Sequence, residues 1–353
     1  MLYTELYEND LKDCIESVNN INKLKGKKIL LTGATGMIGS AIVDLILKYN
    51  SLNNEKISLY LADRNKNKVI ERFNKYLNGI DYNILEYDAC KDITFDVDVD
   101  YIIHAAGNCS PSLYVSEPVE TMMGNFMGIN NLMKYGTSHN TSRVLYISSS
   151  EVYGKLNHNL PLVEDDYGYV DLLDLRSSYP SAKRASETLC IGYSNEYNID
   201  ALIVRPGHIY GPTTSIMDKR AASEFARLAI TGNDILLKSS GNQLRSYCYS
   251  LDCASAILTV LINGRNCNAY NISNMDSICS IRDLAERFAE ICNQKVLFSN
   301  PSDAEKKAFN QMENASLDAK KLYELGWKPI FDIKKGTEHY INILRDNYNE
   351  INK

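Results

Sequence analysis

Several things are missing from this 353-residue chain, and each absence excludes something. No stretch approaches the roughly 18 uncharged apolar residues that a helix needs to cross a hydrocarbon core, so no transmembrane helix is expected. The opening Met1-Leu2-Tyr3-Thr4-Glu5 lacks a basic segment followed by an apolar one, so it does not read as a secretory signal. Excess positive charge is absent too: 38 Lys and Arg stand against 44 Asp and Glu, a formal net charge of −6. That balance argues against nonspecific nucleic-acid binding, and still leaves room for a local basic pocket for phosphate. None of the nine cysteines forms a Cys-x-x-Cys pair. Isolated cysteines without a signal segment read as reduced, cytoplasmic and mostly core, and they argue against a metal site. Internal repeats and low-complexity tracts are lacking as well.

What is present suits an α/β protein with a full core. The apolar fraction is 44%, and the length accommodates one large domain with a smaller lobe. In residues 1–26, Leu6, Leu11, Cys14, Ile15, Val18 and Ile21 recur at roughly helical spacing, which predicts a helical extension packed on the main domain. Lys28–Thr32 reads as a buried strand. Gly33-Ala34-Thr35-Gly36-Met37-Ile38-Gly39 follows it, and then a helical run from Ser40 to Lys48. Strand, glycine-rich turn and helix in that order is the context of a dinucleotide site: the glycines let backbone approach a pyrophosphate, which the helix N-terminus favours. Gly33, Thr35, Gly36, Met37, Ile38 and Gly39 are therefore candidate cofactor residues. The next strand, Ile57–Ala62, ends in Asp63, which can accept both adenosine ribose hydroxyls and repel a 2′-phosphate, favouring NAD over NADP. Arg64 follows at once and is the residue that can pair with a 2′-phosphate instead. Asn83–Tyr87 reads as a third strand with Asp88 at its end, and Tyr101–Gly107 as a fourth ending in small residues, Ala105 and Ala106 among them. His104 reads as a buried, hydrogen-bonded histidine, with catalysis as the alternative. Strands alternating with helices predict a parallel, doubly wound sheet over 27–207. Beyond Arg205 the alternation weakens, Pro206–Pro212 reads as a loop, and 208–353 is expected to be mainly a substrate lobe with segments returning to the first domain.

Ser148-Ser149-Ser150-Glu151-Val152-Tyr153-Gly154 follows the apolar run Val144–Ile147, so it sits where a strand ends. Tyr179-x-x-x-Lys183 lies in what reads as a helix start, and a spacing of four places both on one helix face. An ammonium beside a phenol favours the phenolate, which is expected to lower the tyrosine from its ordinary value of about 10. With Ser149 holding a substrate hydroxyl, the group can take a proton from an alcohol while a hydride leaves its carbon.

Taken together, Gly33-x-x-Gly36-x-x-Gly39, Asp63, His104-Ala105-Ala106, Ser148–Gly154, Tyr179-x-x-x-Lys183 and Arg205-Pro206 resemble the extended short-chain dehydrogenase/reductase family that modifies nucleotide sugars. Tyr210-Gly211-Pro212, Arg220, Gly241-x-Gln243-x-Arg245 and Gly326-Trp327-Lys328-Pro329 extend the resemblance over roughly residues 27–345. The resemblance implies bound NAD, a nucleotide-diphosphate sugar as substrate, oxidation usually at C4, and a second step on the ketone. It implies Tyr179 as base, Lys183 as its partner on the nicotinamide ribose, Ser149 on the sugar hydroxyl, and Arg245 and Arg220 on the diphosphate. Ser150-Glu151, where 4,6-dehydratases carry Asp-Glu, resembles UDP-glucuronate decarboxylases, as do Arg176-Ser-Ser-Tyr179 and Lys183-Arg184-x-x-Glu187. Glu151 is thus a catalytic candidate, and Ser150, Arg176 and His208 are substrate-binding candidates. Three positions depart from that branch: Met123 replaces a lysine, His208 an asparagine and Thr213 an arginine. Epimerisation, and dehydration or net reduction of a CDP- or GDP-linked sugar or polyol, are the alternatives, with a catalytically silent NAD-binding protein beyond them. A homodimer through the helices after Val119 and around Lys183 is expected by analogy.

Overall fold

The computed structural model describes residues 2–75, 82–215, 218–301 and 312–351. Its strands are β1 (Lys28–Thr32), β2 (Ser58–Asp63), β3 (Tyr82–Glu86), β4 (Tyr101–His104), β5 (Arg143–Ile147), β6 (Asp200–Pro206), β7 (His208–Tyr210), β8 (Ile235–Leu237), β9 (Leu244–Tyr249), β10 (Asn268–Ile272), β11 (Ile278–Ser280), β12 (Val296–Phe298) and β13 (Asn314–Ala315). Its longer helices are α1 (Glu5–Ser17), α2 (Met37–Leu52), α3 (Lys66–Arg72), α4 (Pro111–Ser116), α5 (Pro118–Ser138), α6 (Ser178–Tyr197), α7 (Ala221–Ile230), α8 (Ser250–Asn263) and α9 (Ile281–Cys292), with a C-terminal helix over Ile333–Ile351.

A seven-stranded parallel sheet runs in the order β10-β6-β5-β4-β1-β2-β3. Its strands are apolar almost throughout because both faces are covered. Ile29, Leu31, Ile103 and Leu145 point into one layer with residues of α2 and α8. Leu30, Ile102, Val144 and Tyr146 point into the other, with Ile129, Leu132 and Met133 of α5 and Cys190 of α6. The period of two along each strand thus divides one apolar run between two cores. From β1 the chain steps outward to β2 and β3, then returns to the other side of β1 to build β4, β5 and β6. That reversal opens a crevice at the carboxyl ends of β1 and β4, where doubly wound sheets bind ligands.

The segment Pro206–Pro212 differs from expectation. It is not a loop: His208–Tyr210 pairs in parallel register with Tyr247–Tyr249 of β9. β9 also carries β11 and β13, which makes a small second sheet, and β8 pairs with β12. Neither α4 nor the return of β10 to the main sheet is apparent in the sequence pattern, because both elements are short. The run from Ala315 to Trp327 gives the end of β13 and a single helical turn, Lys320–Tyr323.

Helix α1 joins both parts. Thr4 caps it, accepting the Tyr7 N–H at 3.2 Å. The Tyr3 and Tyr7 hydroxyls both donate to Asp44 of α2 at 2.7 Å, and Asp44 also holds Arg72. On its other side Asp10 pairs with His339 of the C-terminal helix at 2.8 Å and accepts the Tyr249 hydroxyl at 3.3 Å. Among the described residues no helix is long and apolar enough to cross a membrane.

Candidate active site

The crevice begins where β1 ends. Gly33 has φ +71°, and a Cβ there would stand 2.7 Å from the Ala106 nitrogen and 2.8 Å from the Ala105 oxygen. A Cβ on Gly39 would stand 2.1 Å from the Gly33 oxygen. Only bare backbone lets these three segments close on one another. Gly36 caps α2, donating its N–H to Gly33 at 3.1 Å, and Met37 and Ile38 open the helix, whose first N–H groups face outward along its axis. Asp63, at the carboxyl end of β2, accepts the Thr35 hydroxyl at 3.1 Å and the Asn65 N–H at 3.0 Å. Arg64 beside it is exposed. Asp88, just past β3, accepts the Cys90 N–H at 3.1 Å and lies 3.8 Å from Lys91. Gly33, Asp63, Asp88, Ala105 and Ala106 therefore line one edge of the sheet, and this glycine cradle beside a helix N-terminus fits a dinucleotide. His104 is buried, with Nδ1 2.7 Å from the Thr32 hydroxyl. Burial first, and the nearby Lys183 charge second, lower it to about 3, so it is neutral.

Tyr179 and Lys183 lie in the first two turns of α6, both buried. The Lys183 ammonium donates to the Ile147 carbonyl at 2.8 Å, at the very end of β5, and sits 4.6 Å from the Tyr146 ring centroid and 5.7 Å from that of Tyr179. Burial pulls Lys183 down to about 8. The phenol of Tyr179 moves opposite to the sequence expectation: burial pushes it well above the ordinary tyrosine value, while hydrogen bonds from Ser149 and Tyr114 act to lower it. In the protein alone, desolvation outweighs those two hydrogen bonds.

Ser149 accepts the Glu151 N–H at 3.2 Å and so caps the short turn Ser150–Tyr153. Arg184 of α6 clamps that turn, donating to the Val152 carbonyl at 2.6 Å and the Gly168 carbonyl at 2.8 Å. The structure brings Glu151 and Arg176 directly together: two parallel bonds of 2.9 Å join carboxylate to guanidinium. The paired bonds fix this carboxylate against one guanidinium.

Tyr114 of α4 is a site residue that sequence reasoning missed. Its ring stacks on Tyr179 with centroids 4.3 Å apart and planes within 5°. The Ser178 hydroxyl donates to its carbonyl at 3.0 Å. The available signal was Ser110-Pro111, a helix-start pair; six residues are too few to show a period.

Cations from the C-terminal part of the chain act on this centre. Arg245 of β9 is 2% exposed and donates to the carbonyls of Leu244 at 2.7 Å and Met312 at 3.0 Å. Arg220, just ahead of α7, is paired with Asp218 at 2.6 Å and reaches the Met37 sulfur at 3.6 Å. His208 of β7 lies edge-on to Tyr247, ring centroids 5.9 Å apart, and its Nδ1 is closed off from solvent without a hydrogen-bond partner. Burial, then the charges of Arg245 and Arg220, lower His208 to about 3. The three residues therefore form one cluster, and Arg245 in turn feels Glu151 and Arg176. Of the departing positions, Met123 is 47% exposed on α5, and Thr213 braces the start of α2 by donating to the Met37 carbonyl at 2.9 Å.

A Rossmann-type sheet, a glycine cradle for a dinucleotide and a buried Tyr–Lys pair at the switch point define a class. The chain belongs to the NAD dependent epimerase/dehydratase family, whose profile matches residues 29–273. It is 30% identical over 315 residues to UDP-glucuronic acid decarboxylase 3 of Arabidopsis thaliana, covering 88% of this chain and 86% of that protein. It is 25% identical over 323 residues to UDP-glucuronic acid decarboxylase 1 of Xenopus tropicalis, covering 90% and 72%. In fold it is similar to the UDP-glucose 4-epimerase of Thermotoga maritima solved with UDP-glucose, with a TM-score of 0.78, 20% identity, and 91% and 99% of the two chains covered. The dTDP-glucose 4,6-dehydratase of Bacillus anthracis, solved with NAD, superposes with a TM-score of 0.75 at 19% identity, covering 92% and 98%.

Proposed function

We propose that this chain is an NAD-dependent enzyme that oxidises a carbinol of a nucleotide-diphosphate sugar to a transient ketone and then removes CO2 from it, with a UDP-linked uronate as substrate. The single observation that carries the first half is the convergence of Tyr179, Lys183 and Ser149 at the crevice edge lined by Gly33, Ala105 and Ala106. Ser149 holds the sugar hydroxyl, Tyr179 takes its proton, and Lys183 stabilises the phenolate and reaches the cofactor ribose. Gly33, Gly36, Asp63 and Lys183 would hold NAD, which would supply a hydride acceptor for the carbinol carbon and a donor for the return step. The second half rests on the decarboxylase relatives in plants and vertebrates. With C4 a ketone, a uronate is a β-keto acid: the bond to its carboxylate breaks, CO2 leaves, and the electron pair is held as an enolate until C5 is protonated. Arg245, Arg220 and His208 take the diphosphate, where bidentate guanidinium contacts are strong. Asp63 selects NAD over NADP. The free cysteines suit a reducing compartment such as the cytoplasm, and α5 and α6 pair with their copies in a homodimer.

A second reading, epimerisation of a neutral sugar, is favoured by the closed pair Glu151–Arg176, which leaves that guanidinium already matched to a carboxylate. Chromatographic separation of the products from UDP-glucuronate and UDP-glucose, followed by mass spectrometry, separates the two. Loss of CO2 supports the lead, and a mass-neutral isomer of UDP-glucose supports the second. Unaltered turnover by Tyr179→Phe removes both. Light scattering that gives a monomer at micromolar concentration removes the dimer.

A further inference from the structure

Two guanidiniums from different elements converge on one imidazole in the substrate lobe. Arg245 comes from β9, Arg220 from the segment ahead of α7, and His208 from β7, which pairs with β9; both charges act on the imidazole. Among the described residues, the Tyr247 ring also faces the imidazole. Helix α8, which also packs on β7, contributes no charge that acts on His208.

His208 Nδ1 is buried and has no hydrogen-bond partner. A buried polar nitrogen left unsatisfied is costly, so the atom is placed for a ligand and not for the empty protein. Beside two guanidiniums that ligand atom is an anionic oxygen, and the nitrogen must then be a donor. We propose that His208 donates Nδ1–H to a phosphate oxygen of the bound diphosphate and takes up a proton as the diphosphate binds. This rests on the reading of the cluster as a nucleotide-diphosphate site.

The charge logic has two states. In the protein alone, burial and the two adjacent positive charges oppose a third, and they hold His208 at about 3. A diphosphate brings two negative charges into the same space, offsets both guanidiniums, and offers an acceptor that favours the imidazolium. Asparagine, the residue expected here from the family pattern, has no such second state. Binding should therefore tighten as pH falls from 8 to 5.5. If the bound imidazole returns to its ordinary value of about 6.5, the gain at pH 5.5 is about tenfold.

The test is isothermal titration with UDP-, CDP-, GDP- and dTDP-glucose, chosen because each phosphate of a nucleotide sugar carries a single ionisation that does not titrate in this range. Titrations are run at pH 5.5 and 8 in buffers of different ionisation enthalpy. Proton uptake and about tenfold tighter binding at pH 5.5, both lost in His208→Asn, are expected. Equal affinity and buffer-independent heat in the unmodified protein overturn the proposal and leave the diphosphate site standing. So does a pH dependence that survives in His208→Asn. Silence from all four nucleotide sugars overturns the site itself, and this proposal with it.

Discussion

Tyr114 and Tyr179 lie face to face, their centroids 4.3 Å apart and their planes within 5°, although they come from different helices. The contact shields the Tyr179 phenol from water and at the same time offers it a second hydroxyl, which acts to lower it. The working base must be ionised, so the rate should climb with pH until the phenol titrates. Removing the Tyr114 hydroxyl while keeping its ring, in Tyr114→Phe, should move that alkaline limb to higher pH. The rate at pH 7 should then drop by about tenfold for each unit of movement. A purely structural role for Tyr114 would change the rate at all pH values alike and leave the limb in place. That outcome, read from a pH profile of kcat, would remove Tyr114 from the proton path.

Asp63 receives the Thr35 hydroxyl and the Asn65 N–H, so its carboxylate is held at the crevice edge before any ligand arrives. Both bonds leave lone pairs for ribose hydroxyls, and the fixed negative charge opposes a 2′-phosphate. Asp63→Ser should weaken NAD binding by roughly tenfold or more, since a hydrogen bond to a charged group contributes about 1.5–3 kcal/mol. It should leave NADP binding unchanged or improved. Fluorescence titration with the two cofactors reads the ratio directly, and an unchanged preference would shift selection to another residue.

Much of this was legible in the sequence because the relevant signals are local. The strand, glycine turn and helix at residues 28–48 form one contiguous unit, and the four-residue spacing of Tyr179 and Lys183 places both on one helical face whatever surrounds them. The direction of the Tyr179 shift was not legible, because desolvation depends on α4 folding over it, and that is a contact across 65 residues. Glu151 and Arg176 each read as a site residue, but their bidentate pairing appears only when the turn after β5 and the start of α6 are set side by side. Pro206–Pro212 reads as a loop because its turn residues dominate, yet β9 recruits His208–Tyr210 into a sheet. Tertiary pairing overrides weak local preference in segments this short.

Behind the site, Arg205 of β6 and Glu187 of α6 form a buried pair with bonds of 3.0 and 2.7 Å. Arg205 extends it to the Tyr153 hydroxyl at 3.1 Å, which donates to Asn271 of β10 at 2.5 Å. The helix that carries Tyr179 is thus tied to two strands and to the serine turn. Removing one partner leaves an uncompensated buried charge, so Glu187→Gln or Arg205→Met should each cost about 3–5 kcal/mol of stability. Replacing both with apolar residues of similar volume should cost less than either single change. Urea unfolding of the three variants checks this, and additive losses would show that the pair is not coupled.

Asp252, at the start of α8, accepts the N–H groups of Ile330 and Phe331, both at 2.9 Å, one on each oxygen. Burial outweighs those bonds and raises the carboxyl from 3.8 to about 7, with the nearby Asp10 adding to the rise. A carboxyl raised on folding holds a proton that the unfolded chain has already lost. Its contribution to stability is therefore fully present below about 3.8 and is lost as pH climbs through about 7. At about 1.4 kcal/mol per unit the full span is on the order of 4 kcal/mol. Asp252→Asn carries no such titration, but its amide can accept only one of the two N–H groups, a roughly constant cost of about 1–3 kcal/mol. Relative to the native chain, the variant should gain about 3 kcal/mol as pH rises from 5 to 8. Urea midpoints of both proteins at the two pH values decide it, and a difference that stays the same from pH 5 to 8 would mean Asp252 is ionised in the folded protein throughout.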